Sequence, residues 1–115
     1  MARAGPGAGW PGVLTAKRAA STCTAVKHGR EDEFVAAWRE FAEWTNREVP
    51  GSAWAKLLRD DDTPQRYISV GPWRDLDAIE TWRSLPGWQE RVRRLRPLPD
   101  RFEPSTLEPV IEIES

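Results

Sequence analysis

The sequence is poor in the residues that usually announce chemistry: one cysteine, one histidine, one methionine and one tyrosine in 115 residues. A single thiol, Cys23, excludes any disulfide within the chain and suits a reducing compartment, so a cytoplasmic protein is expected. The lone histidine, His28, leaves little choice of a haem axial ligand. No apolar run approaches transmembrane length, so no membrane span is expected. Charge of one sign is also missing. The formal net charge is −1 with 30% charged residues, and no global field draws the chain to nucleic acid or a membrane surface.

What the chain has in excess is tryptophan, with seven indoles in a length that allows one hydrophobic core and not two. Each indole carries a large apolar surface and one N–H that needs a partner when buried. Some of them are expected to line something other than a dry core.

Residues 1–20, "MARAGPGAGWPGVLTAKRAA", are rich in Gly, Pro and Ala and lack the continuous apolar core of a signal peptide. A flexible tail is expected here. A wrongly chosen start codon would give the same composition. The folded domain is expected over 21–115. "STCTAV" reads weakly as a first strand, broken at His28-Gly29. Phe34, Ala37, Trp38, Phe41, Trp44 and Thr45 then recur at three- and four-residue steps, the stripe of an amphipathic helix. Glu31, Asp32 and Glu33 suit its positive end, and Pro50-Gly51 stops it.

"SAWAKLLR" reads as a second strand and "RYISVG" as a third, joined by the turn-forming Asp60-Asp61-Asp62-Thr63-Pro64. The three aspartates are read as a charged hairpin tip and not as a metal site. Asp75 is placed to cap a second helix carrying Leu76, Ile79, Trp82 and Arg83 on one side. Ser84-Leu85-Pro86-Gly87 interrupts it, and a short helix resumes with Trp88, Val92 and Leu95 on one face. The arginines at 91, 93, 94 and 96 form its solvated face. Pro97, Pro99 and Pro104 predict a stiff connection. "TLEPVIEIE" predicts a last strand with Ile111 and Ile113 turned inward.

This order, β-α-β, hairpin, β-α-(α)-β, predicts an α+β fold of the ferredoxin-like, split βαβ type. Its four-stranded antiparallel sheet would carry helices on one face. Apolar residues on both faces of the strands predict a cover for the other face, and a second copy of the chain is the economical one. A homodimer is therefore expected.

The stretches "VKHGREDEFVAAWREFAEW", "VPGSAWAKLLRD", "RYISVGPWRDLDAIETWRSLPGWQERV" and "FEPSTLEPVIEI" together resemble the antibiotic biosynthesis monooxygenase (ABM) family of dimeric α/β barrels. The resemblance spans Val26 to Ile113. It implies a ferredoxin-like dimer that oxygenates aromatic polyketides or quinols without metal, flavin or other cofactor, dioxygen being the co-substrate. Members of the oxygenase and haem-degrading branches commonly carry a histidine in the second helix, roughly where this chain has Trp82.

Such chemistry asks for a flat apolar slot, help in removing a proton, and limited water. Indole faces can stack on a small aromatic substrate, so Trp73, Trp38 and Trp82 are the candidate substrate-binding walls. Trp54 could join them or sit in the dimer interface. For proton handling the candidates are Tyr67 and His28, and after them Asn46 or Arg66, with Arg66 also a candidate substrate contact. The alternative is a non-catalytic dimeric α/β barrel that binds a small ligand or acts as an accessory subunit.

Overall fold

In the computed structural model, which describes residues 16–113, the chain runs β1 (Arg18–Val26), α1 (Glu31–Glu48), β2 (Lys56–Arg59), β3 (Arg66–Trp73), α2 (Leu76–Ser84), α3 (Pro86–Leu95) and β4 (Pro99–Leu107). The strands form one antiparallel sheet in the order β2-β3-β1-β4. That is the ferredoxin-like, split βαβ arrangement expected from the sequence. The stripe on α1 buries Phe34 completely, and the three acidic residues occupy its first turn. No helix among the described residues is long and apolar enough to cross a membrane.

Antiparallel partners point to the same side of a sheet. Thr22 faces Ser69 and Thr24 faces Tyr67, so these four share the side covered by the helices, with Val26 and Trp73. Cys23 faces Ile68 and Ser21 faces Val70 on the opposite side, where all four are partly exposed. Leu58, the partner of Ile68 on β2, is 52% exposed there. Two cores fill the helical side. One gathers Val26, Phe34, Tyr67, Leu95 and Leu98; the other gathers Val49, Trp73, Ala78 and Ile79.

Three boundaries differ from the sequence reading. Strand β1 begins at Arg18, inside the expected tail, because Arg18 to Ala20 pair with Trp73 to Gly71. The first fifteen residues of that tail lie outside the described residues. The second strand is only its last four residues, with Ser52 making a single bridge to Trp73. The chain before it crosses so close to β3 that a Cβ on Gly71 would stand 2.8 Å from the Trp54 carbonyl oxygen.

The last strand is the largest correction. It is Pro99–Leu107, not 106–114, and Glu114 lies outside the described residues. Phe102, Pro104 and Thr106 take the inner face opposite Thr24, Thr22 and Ala20. Val110, Ile111 and Ile113 are 87%, 76% and 90% exposed. Their alternation is regular, but the inner face is already filled before the chain reaches them. Pro99 and Pro104, read as a connector, sit in a strand at the sheet edge, where a missing N–H is tolerated.

The turn after α1 depends on Gly51, which adopts φ 99°. A Cβ there would also lie 2.7 Å from Ala78 Cβ. Gly51→Ala is expected to destabilise the fold by more than about 1 kcal/mol. A lowered urea midpoint is the readout, and an unchanged midpoint would refute the constraint.

Candidate functional site

Between the inner sheet face and the helices lies a cavity of about 360 Å³. Trp73 closes one side. Its backbone is pinned from two directions, because its carbonyl accepts from the Lys17 N–H at 3.1 Å and the following Arg74 N–H donates to Gly51 at 2.7 Å. The indole is 3% exposed. Asp75 then caps α2, its Oδ1 accepting from the Ala78 N–H at 2.8 Å. That backbone bond holds the Asp75 carboxyl below the usual carboxylate range. The strand end, indole and capped helix therefore form one rigid corner.

Trp82 sits where four rings meet. Its ring lies 4.7 Å from Trp73, 5.6 Å from Phe41 in a near-parallel stack, and 6.2 Å edge-on to Trp88. Its Nε1–H donates to Thr45 Oγ1 at 3.0 Å, which removes the cost of burying that donor and fixes the ring. Trp38 and Phe41 from α1 and Phe102 from β4 complete the aromatic wall, with Val92 and Leu95 of α3 behind them.

The polar part of the wall is a hydroxyl pair across β1 and β3. Thr22 Oγ1 and Ser69 Oγ are 2.6 Å apart, and Ser69 Oγ also accepts from the Thr22 N–H at 3.1 Å. Two hydroxyls bring two protons, and their mutual bond uses one. The other is left to donate to a ligand oxygen. Arg83 borders the same cavity and donates to Thr106 Oγ1 at 2.9 Å. It has no carboxylate partner among the described residues, and burial pulls its guanidinium below its ordinary value against the opposing field of Glu80. Glu43 and Asn46 also border the space.

Of the site residues read from the sequence, the structure brings Trp38, Trp54, Trp73, Trp82 and Asn46 together on this cavity. It does not bring Tyr67, His28 or Arg66. Tyr67 is buried one layer away, packed on Phe34 with ring centres 5.2 Å apart. His28 is exposed in the turn between β1 and α1. Arg66 pairs with Ala25 and so points to the opposite side of the sheet, where its guanidinium bonds Asp60 at 2.9 Å. That carboxylate raises the Arg66 pKa. The acidic run is a hairpin tip, Asp60 Oδ1 accepting from the Asp62 and Thr63 N–H groups. Among the described residues no three metal-ligating side chains converge.

Sequence reasoning missed Thr22, Ser69, Arg83 and Phe102. Thr22 and Ser69 were visible only as strand formers. What gives them a role is the β1–β3 register, which depends on contacts far apart in the chain. Arg83 had been placed on the right side of α2 but without a function.

Several solved structures share this fold. The cofactor-independent oxygenase SnoaB from Streptomyces nogalater, in a mutant form, superposes with a TM-score of 0.79 at 24% identity, covering 87% of this chain and 99% of its own. A protein from Shewanella oneidensis gives 0.74 at 21% identity, covering 85% and 95%. A conserved protein from Methanosarcina mazei gives 0.73 at 14% identity, covering 82% and 93%. At these identities the likeness establishes the fold. Comparison with curated proteins gives no match. Residues 22–94 match the profile of the antibiotic biosynthesis monooxygenases. That stretch holds the Thr22–Ser69 pair and Trp38, Trp73, Trp82 and Trp88 of the cavity wall, and on it the chain belongs to the antibiotic biosynthesis monooxygenase family.

Proposed function

We propose that this protein is a cofactor-independent monooxygenase that oxidises a flat aromatic molecule, an anthrone or quinol, with dioxygen. The observation that carries the proposal is the aromatic-walled cavity of about 360 Å³ with one hydroxyl pair in its wall. Family membership and the description of SnoaB as a cofactor-independent oxygenase support it.

An anthrone oxidised from CH₂ to C=O gives up four electrons, which reduce dioxygen fully. One oxygen atom enters the ring carbon and the other leaves as water, so no external reductant is required. The protein's part is to hold the ring between Trp38, Trp73 and Trp82, keep water out, and favour the deprotonated substrate. The free O–H of the Thr22–Ser69 pair donates to the ring oxygen, where negative charge collects as the proton leaves. The Arg83 guanidinium supplies a cation at the cavity border.

Arg83→Gln is expected to lower kcat/KM on the order of tenfold, with Arg83→Lys falling between it and the parent. Oxygen uptake against a panel of anthrones and hydroquinones tests the activity directly. Consumption above the uncatalysed rate for at least one of them is expected. None across the panel would overturn the enzymatic reading. The surviving reading would then be a small-ligand-binding or accessory protein, which one observation favours: the only histidine, His28, stands outside the cavity wall.

The functional unit is a homodimer in the cytoplasm. The lone thiol supports the compartment. The helix-free sheet face, with Ile68, Val70 and Leu58 on it, supports the second copy.

A further inference from the structure

Behind the aromatic cavity the same sheet face carries a second rung of hydroxyls. Going deeper, the first rung is Thr22 opposite Ser69 and the next is Thr24 opposite Tyr67. The first rung is internally bonded. The second is not: Thr24 and Tyr67 are 1% and 3% exposed, and neither Thr24 Oγ1 nor Tyr67 Oη has a hydrogen-bond partner among the described residues. A buried hydroxyl without a partner loses its hydration and regains nothing, whereas Val or Phe of nearly the same shape would fill either place freely. Two such groups on neighbouring strands, facing the same layer, point to a ligand and not to packing.

The second rung is also close to the cavity. Residues two apart along a strand are separated by about 7 Å, and Thr22 and Ser69 already line the space. Leu95 belongs both to the cavity lining and to the core cluster that holds Tyr67, and Trp38 packs against that cluster while lining the cavity. Leu95 and Trp38 thus border both the cavity and the layer that holds Tyr67, and a leucine side chain can move by a rotamer change.

We infer that the cavity continues past Leu95 into a polar end. There the hydroxyls of Tyr67 and Thr24 hydrogen-bond a second oxygen, carried on the leading edge of an aromatic ligand and distinct from the ring oxygen held by Thr22 and Ser69. The inference rests on the cavity being the ligand site. It adds a requirement on the ligand: a ring with a further hydroxyl or carbonyl at its inner end binds better than the same ring without it. The tyrosine picked out from the sequence then acts by holding an oxygen at the blind end of the slot, not as an acid or base at its mouth.

The test uses two probes of one tricyclic skeleton, 2-hydroxyanthrone and anthrone, titrated without oxygen and followed by tryptophan quenching; both carry the carbonyl and only the first carries a second oxygen at an outer end. Parent protein, Tyr67→Phe, Thr24→Val and Ser69→Ala are compared. Tyr67→Phe is expected to weaken 2-hydroxyanthrone about five- to tenfold and leave anthrone unchanged. Thr24→Val should do the same more weakly. The ligand-free thermal midpoint of Tyr67→Phe should stay level or rise, since an unpartnered buried hydroxyl is removed. An equal loss for both probes would overturn the inference, as would no loss, or a loss only in Ser69→Ala. A lowered midpoint with unchanged binding would overturn it as well, by assigning the hydroxyl to the fold. In each of these cases the parent still binds both probes and the ligand-site reading stands. If the parent binds neither, both readings fall.

Discussion

Trp73→Ala is expected to remove about 3–5 kcal/mol of stability and nearly all affinity for an aromatic ligand. The side chain is 3% exposed and touches Trp82 at a ring distance of 4.7 Å, so truncation opens a void that the pinned backbone cannot close. Against a total stability of about 5–15 kcal/mol for a domain of this kind, that is a large share. The loss should spread to Trp82, whose position depends on Trp73 and Phe41 together. Trp73→Phe keeps a ring and should cost far less stability while still weakening ligand binding. Urea unfolding with anthrone quenching on both variants reads the two effects separately. If Trp73→Ala bound anthrone as the parent does, the cavity would not be the ligand site.

Ile68→Asp is expected to convert a dimer into a monomer. Ile68 lies on the helix-free face between Cys23 and Leu58, the centre of the surface proposed to meet a second copy. An unpaired carboxylate buried there costs about 3–5 kcal/mol, which is about 10²–10⁴-fold in dissociation constant. Sedimentation across a range of concentrations gives the answer. The folded monomer should keep its far-UV spectrum, because the substituted face is not part of either core. A parent protein that sediments as a monomer, with Ile68→Asp identical to it, would remove the dimer from the proposal.

The parts of the fold that could be read from sequence are those whose signal is local. The α1 stripe, the Asp75 cap and the Ser84–Gly87 break each depend on residues within a few positions, and each stands as expected. The last strand went wrong for a reason of the same kind. "PVIEIE" alternates cleanly but stays exposed, while the real strand, "PDRFEPSTL", hides one aromatic among prolines and charges. What selects it is the face that β1 presents, which is information from the far end of the chain. The site divides the same way. Trp38 and Trp82 were legible from helical spacing and Trp73 from its place before a cap. The Thr22–Ser69 and Thr24–Tyr67 pairs needed a register across more than forty residues.

The prolines of β4 also bear on what happens when many copies meet. A sheet has two rims, and an open rim is a template on which further strands can add without limit. Here one rim, β2, is four residues long and bears Lys56 and Arg59. The other, β4, is broken by Pro99 and Pro104 and carries Arg101 and Glu103 between them. Neither offers the unbroken row of donors and acceptors that a growing fibril copies. Assembly through the faces can stop at two, and growth through the rims is discouraged from the start.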